Sequence, residues 1–205
     1  MPAANLDRAE LEEFWAGWLE ANREAERNKD WKHLADWYAP DANYGWMVTP
    51  DDHFMATDRE EIRAIALGTE MAGLDGWHYD YMATVMDEVN GMIVGFWRQG
   101  SGVTDDNGDE LTIEGIGGSW FGIERREQQA GSASLQFAWQ RDWFDFNSMV
   151  HTFTAVAKSG KATEGLLGRL TLEGRQPGHY RKGDLPFPVW PQPVERGDFI
   201  AQTAL

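Results

Sequence analysis

The chain contains no cysteine, which removes disulfides, thiolate metal ligands and cysteine nucleophiles at once. Basic residues are scarce: 18 Lys and Arg stand against 34 Asp and Glu, a formal net charge of −16. Nucleic-acid affinity rests largely on clustered positive charge, so no nucleic-acid partner is expected. No apolar run approaches the roughly 18 residues that a membrane span needs, and residues 1–13 are acidic instead of basic and then apolar. The expectation is a soluble, cytoplasmic protein with neither a secretory signal nor a membrane partner. HExxH, a phosphate loop, GxGxxG and Gly-x-Ser-x-Gly are all missing. The five His residues show no metal-ligand spacing, so neither a metal nor a cofactor is expected.

What is present is a length of 205 residues, 42% of them hydrophobic, enough for one sizeable core. Eleven Trp residues supply flat apolar walls that suit both a core and a pocket for rings. Asp7 with Glu10 forms a capping pair, and Leu11, Phe14, Trp15, Trp18 and Ala25 follow at helical spacing. A shorter helix is expected over 31–38, ended by Pro40, and a strand over 42–49 with Tyr44 and Trp46 on one face. A third helix, capped by Asp58 with Glu61, runs to Gly73 and Gly76. The period then changes to two. Strands are expected over 77–87, 92–99, 111–125 and 134–146, joined by polar turns. Gly115, Gly117 and Gly118 fall mid-strand and read as a bend. Helices followed by successive antiparallel strands give an α+β architecture. Beyond Asn147 the pattern weakens into a proline-bearing tail, with a helix possible within 150–169.

The stretches DWKHLADWYAPDANY (30–44), DREEIRAI (58–65), WHYDYMATVMDEVNG (77–91) and WQRDWFDF (139–146) together resemble the NTF2/SnoaL-like superfamily, over about residues 11–146. The resemblance implies a cone: a curved antiparallel sheet wrapped around three N-terminal helices and enclosing a pocket. It places an NTF2/SnoaL-like domain over 5–156 and a C-terminal extension over 157–205, packed on the domain or on a neighbouring subunit. In the dehydratase branch a His opens the strand after the third helix, where this chain has His78. In members similar to limonene-epoxide hydrolase the last strand carries an Arg-Asp-aromatic-Phe-Asp run, here Arg141 to Asp145, whose first acid points inward. The helix-one Tyr/Asp pair of the dehydratases corresponds to Asn22 and Glu26 or Arg27. The ketosteroid-isomerase base on the first strand corresponds to Trp46, and the hydrolase Arg-x-Asp pair has no match near 97–99.

On these grounds the candidate catalytic residues are His78, Asp142 and Tyr44. A histidine moves protons in either direction near neutral pH. Asp142 shares a strand face with Gln140 and Phe144, and a carboxylate walled by aromatics acquires a raised pKa. Tyr44 can polarise a substrate oxygen. Asn22, Glu26, Trp46, Arg98, Gln140 and His53 are the candidate substrate-binding residues, His53 as part of a lid. The expected activity is that of a cofactor-independent lyase, a dehydratase or C–C-cleaving enzyme, on a hydrophobic aromatic or polycyclic alcohol. A lignin-type diaryl compound, the substrate class of the diarylpropane lyases of this superfamily, fits such a pocket. The alternatives are an epoxide hydrolase, a ketosteroid-type isomerase and a non-catalytic binding module. A homodimer or homotrimer is expected through the face that carries Arg141, Trp143 and Asp145.

Overall fold

The computed structural model describes residues 4–127 and 133–191. The expected tail therefore lies partly outside the described residues, beyond 191. Helix α1 (Arg8–Asn28) starts where Asp7, in extended backbone, accepts from the Glu10 N–H at 3.0 Å, and it ends at Lys29, whose φ of 56° breaks the ladder. Loss of that cap in Asp7→Ala should lower stability by about 1 kcal/mol, read from urea midpoints. A 3₁₀ helix (Lys32–Trp37) follows. The third helical segment is a single α-turn, α2 (Arg59–Glu61), capped by Asp58 and widening into a π segment over Ile62–Ala66. Its wide turn is closed by the Leu67 N–H on the Ile62 carbonyl at 2.8 Å. So only the first of the three expected N-terminal helices is a long regular α-helix.

Among the described residues seven strands form one open sheet in the order β3-β4-β5-β6-β1-β2-β7. They are β1 (Tyr38–Met47), β2 (Asp52–Ala56), β3 (His78–Asp87), β4 (Met92–Thr104), β5 (Glu110–Glu127), β6 (Ala133–Trp143) and β7 (His179–Arg181). The expectation of a purely antiparallel sheet needs one correction, because β1 and β6 pair in parallel. Every other neighbouring pair is antiparallel. A parallel pair needs a long crossover, which the whole stretch from β2 to β5 supplies. Register shifts in β3–β4, β4–β5 and β5–β6 bend the sheet. Gly117 lies against the Trp97 ring, so that a Cβ there would sit 2.3 Å from it.

Helix α1 lays Leu11, Trp15, Trp18 and Ala25 on the sheet's inner face. Trp18 meets Phe137 at 4.9 Å, and Trp15 meets Tyr81 at 5.2 Å, both edge to face. After β6, Asp145 caps helix α3 (Phe146–Lys158) by accepting from the Ser148 N–H at 2.7 Å. Helix α4 (Glu164–Leu170) follows, and its Leu166 joins Leu74, Trp77, Ile113, Phe153 and Val156 in a second cluster of buried side chains. Among the described residues no helix is long and apolar enough to cross a membrane.

Candidate functional site

A cavity of about 290 Å³ opens between α1, the inner sheet face and the segments contributed by α3, α4 and β7. Trp18, Trp31, Leu34, Trp46, Trp97 and Phe153 give it apolar walls. Two polar networks interrupt those walls.

The first grows out of strand alternation. Tyr44 lies opposite Gln140 in the β1–β6 pairing, and Ser119 lies opposite Asp142 in the β5–β6 pairing. Alternation puts Gln140 and Asp142 on the same inner face. The Tyr44 hydroxyl donates to Asp142 Oδ2 at 2.5 Å, and Gln140 Nε2 donates to Asp142 Oδ1 at 2.7 Å. The buried Tyr38 hydroxyl donates to Gln140 Oε1. Ser119 Oγ accepts from Trp97 Nε1 at 3.0 Å and from Gln140 Nε2 at 3.3 Å. Burial pushes the Asp142 carboxyl above its ordinary range, although the bonds from Gln140, Ser119 and Tyr44 and the Arg141 charge pull the other way. Burial, reinforced by Asp142, holds Tyr38 and Tyr44 well above the ordinary phenol value, so both stay neutral donors. The arrangement is a proton-accepting carboxylate of raised basicity, held at both oxygens and facing an apolar chamber.

The second network joins segments far apart in sequence. Glu70 Oε1 lies 3.1 Å from His179 Nε2, and Glu70 Oε2 lies 3.1 Å from an Arg169 guanidinium nitrogen. Arg169 also donates to the Glu70 carbonyl. Burial pushes the Glu70 carboxyl up, but the His179 hydrogen bond and the Arg169 charge outweigh it and hold the group below its ordinary value. All three residues line the cavity.

The residues singled out from the sequence separate into two sets. Asp142, Tyr44, Gln140, Trp46 and Asn22 line the cavity. Trp46 stacks on Phe54 at 3.9 Å, and Asn22 Nδ2 donates to the Trp18 carbonyl at 2.9 Å. The other four are elsewhere. His78 does not reach the cavity: alternation along β3 turns Tyr79 and Tyr81 inward, while His78 pairs with Asp80 and Glu110, each at 2.9 Å. Burial pulls the His78 pKa down, but those two carboxylates outweigh it and hold it above the ordinary value. Glu26 is half-buried and accepts from the Tyr79 N–H at 2.7 Å, bracing α1 against β3. Burial raises its pKa. Arg98 is exposed and faces Glu114 at 3.5 Å. His53 is a buried residue of β2 and not part of a lid, and it lines a separate crevice with Met47, Leu185, Phe187 and Val189.

Sequence reasoning passed over Tyr38, Tyr79, Tyr81, Ser119, Glu70, Arg169 and His179. Period-two alternation from the buried Trp77 gives Tyr79 and Tyr81, with His78 on the other side. No local pattern joins Glu70 to Arg169 and His179.

No family model matches the chain, and no curated protein matches it. Among solved structures it is similar to an NTF2-like protein of unknown function from Burkholderia pseudomallei K96243, at 14% identity, 67% of this chain, 95% of that one and a TM-score of 0.44. It is similar to a SnoaL-like protein from Jannaschia sp. CCS1, at 12% identity, 60% of this chain, 77% of that one and a TM-score of 0.41. A protein of ketosteroid-isomerase-like fold from Catenulispora acidiphila DSM 44928, solved with trimethylamine, matches at 11% identity. That match covers 66% of this chain and 90% of the other, with a TM-score of 0.46. The fold names of these structures are the ones to which the sequence resemblance pointed.

Proposed function

We propose that the chain is a cofactor-independent lyase, of the dehydratase or C–C-cleaving kind, that acts on a hydrophobic aromatic or polycyclic alcohol. A compound of the lignin diaryl type belongs to that class. The observation that carries the reading is the Asp142 carboxyl: buried, raised in pKa, held by Tyr44 and Gln140, and facing an apolar cavity. Such a carboxylate takes a proton from a C–H bond more readily than an ordinary one does. The neutral Tyr44 hydroxyl donates to its Oδ2, and Tyr38 donates to the Gln140 amide that holds its Oδ1, so the carboxylate is fixed in place toward a substrate in the cavity. A purely binding cone has no use for a desolvated carboxylate, whose burial costs stability. The catalytic role first given to His78 passes to Asp142.

In the same proposal residues 5–156 form the pocket-bearing domain, and the described part of the 157–205 extension lies over it. The chain assembles as a homodimer or homotrimer through the outer sheet face; of the residues expected there, Arg141 is buried under the chain around Pro188 and Asp145 caps α3, so the contact falls to Trp143 with the exposed Met82 and Ile116. Light scattering should give a multiple of 23.2 kDa, and a clean monomer mass at micromolar concentration would remove the assembly part.

The function is tested with a panel of aryl β-hydroxyketones and diaryl alcohols. Elimination is followed by the rise in conjugated-alkene absorbance, and binding by quenching of the pocket tryptophans. Saturable turnover of at least one ring-bearing alcohol is expected. Binding without turnover across the panel would leave the chain a binding module.

A further inference from the structure

We propose that His179 is a second proton-transfer residue, the general acid that protonates the departing oxygen while Asp142 takes the carbon-bound proton. The inference rests on the lyase reading above. It starts from the Glu70, Arg169 and His179 network, whose three members come from the segment before β3, from α4 and from β7. A carboxylate can only accept, so the His179 nitrogen 3.1 Å from Glu70, Nε2, carries a hydrogen. The other ring nitrogen, Nδ1, has no hydrogen-bond partner among the described residues.

The ring is held on two sides, by Phe54 and by Glu70. Gly178, at a φ of +79°, turns the chain immediately before it, and a side chain there would strike Phe54. Phe54 meets the imidazole edge to face at 5.4 Å. Glu70 fixes Nε2, and Arg169 fixes Glu70 through both its carboxylate and its main-chain carbonyl. An imidazole that lines a cavity, is oriented there by a carboxylate and keeps its second nitrogen unpartnered is the arrangement that proton transfer requires. Arg169 and Glu70 are positioning residues. Glu70, held ionised by its partners, keeps Nε2 as the donor, which leaves Nδ1 as the nitrogen that exchanges a proton with the substrate.

The step balances. The C–H proton passes to the Asp142 carboxylate, and the electron pair left behind forms the C=C bond. The C–O bond breaks, and the leaving oxygen takes the Nδ1 proton and departs as water. Asp142 then loses its proton to solvent, and His179 regains one from it. No oxidant, reductant or further reactant enters.

The test uses the full chain and two readouts. With an aryl β-hydroxyketone as substrate, His179→Gln should lower kcat by about 10²–10⁴-fold and leave KM within a few-fold and the melting temperature unchanged. Glu70→Gln should lower kcat in the same direction by a smaller factor. In ¹⁵N-imidazole spectra, neutral His179 should carry its hydrogen on Nε2, and 2-naphthol, an aryl alcohol probe, should displace the Nδ1 resonance. A His179→Gln enzyme within a few-fold of wild-type kcat overturns the proposal. So does an Nδ1 resonance indifferent to saturating 2-naphthol, whether or not the ketone is turned over. If Asp142→Asn is inactive while His179→Gln is active, only the role of His179 falls. If Asp142→Asn keeps full activity, the lyase reading itself falls.

Discussion

Asp142→Asn should lower turnover by about 10²–10⁴-fold and leave binding of ring compounds within a few-fold. The asparagine keeps the shape: its oxygen can still accept from Tyr44, and its amide can donate to Gln140 once that side chain turns its own oxygen round, but it cannot take a proton from carbon. The same substitution should make the protein more stable at neutral pH. Burial raises the carboxyl above its ordinary value of 3.8, so in the window between that value and the raised one the native state holds a proton that the unfolded chain has lost. Stability of the wild type therefore falls as pH climbs through that window and stays lower above it. The variant has no such fall. Melting temperatures of the two proteins should agree below the window and separate above it, with the variant higher. An inactive variant that also melts several degrees lower at neutral pH would mark Asp142 as a structural partner, and catalysis would have to be sought elsewhere in the cavity.

Arg141→Met should cost about 2–4 kcal/mol and free the segment that follows β7. Arg141 lies on the face of β6 opposite Asp142, and it is buried with 6% of its surface exposed. Burial lowers its pKa to about 10, so it remains a cation at neutral pH. Its hydrogen-bond acceptors are neutral oxygens: the Val189 and Pro188 carbonyls at 2.9 and 3.1 Å, the Gln140 carbonyl at 2.7 Å, and Asn43 Oδ1 at 2.6 Å. Methionine fills much of the volume and takes the shared donor away from those oxygens. The β1–β6 junction and the chain around Pro188 lose their tie together. Urea midpoints report the first effect, and proteolytic cleavage within 182–191 reports the second. A variant with unchanged midpoint and cleavage pattern would mean that the guanidinium's desolvation cancels its hydrogen bonds.

Much of this molecule was legible residue by residue. Asp7 and Asp58 announce their helices because a side-chain oxygen three residues ahead of an N–H is a local device. The inward face of β6 follows from alternation through Gln140 and Asp142. His78 was misplaced although alternation was equally available. The aromatic residues at 77, 79 and 81 must face the core, and their neighbours must then face out. Strand β2 escaped because five residues after a turn give too short a pattern to separate from loop. The network of Glu70, Arg169 and His179 could not be read at all, since only the packing of α4 and β7 brings those three together.

The parallel pairing of β1 with β6 sets an order of events for a chain that emerges from its N-terminus. Tyr38 must wait for Phe137, and Tyr44 for Gln140, before either gains its neighbour. Until then β1 and β2 have only each other, and two strands alone are marginal in water. The Trp15 and Trp18 face of α1 waits equally for Phe121 and Phe137. Contacts of such sequence separation slow folding and leave apolar surface open meanwhile. A nascent chain halted before β6 should therefore be a client for chaperones, and release of the finished chain should end that dependence.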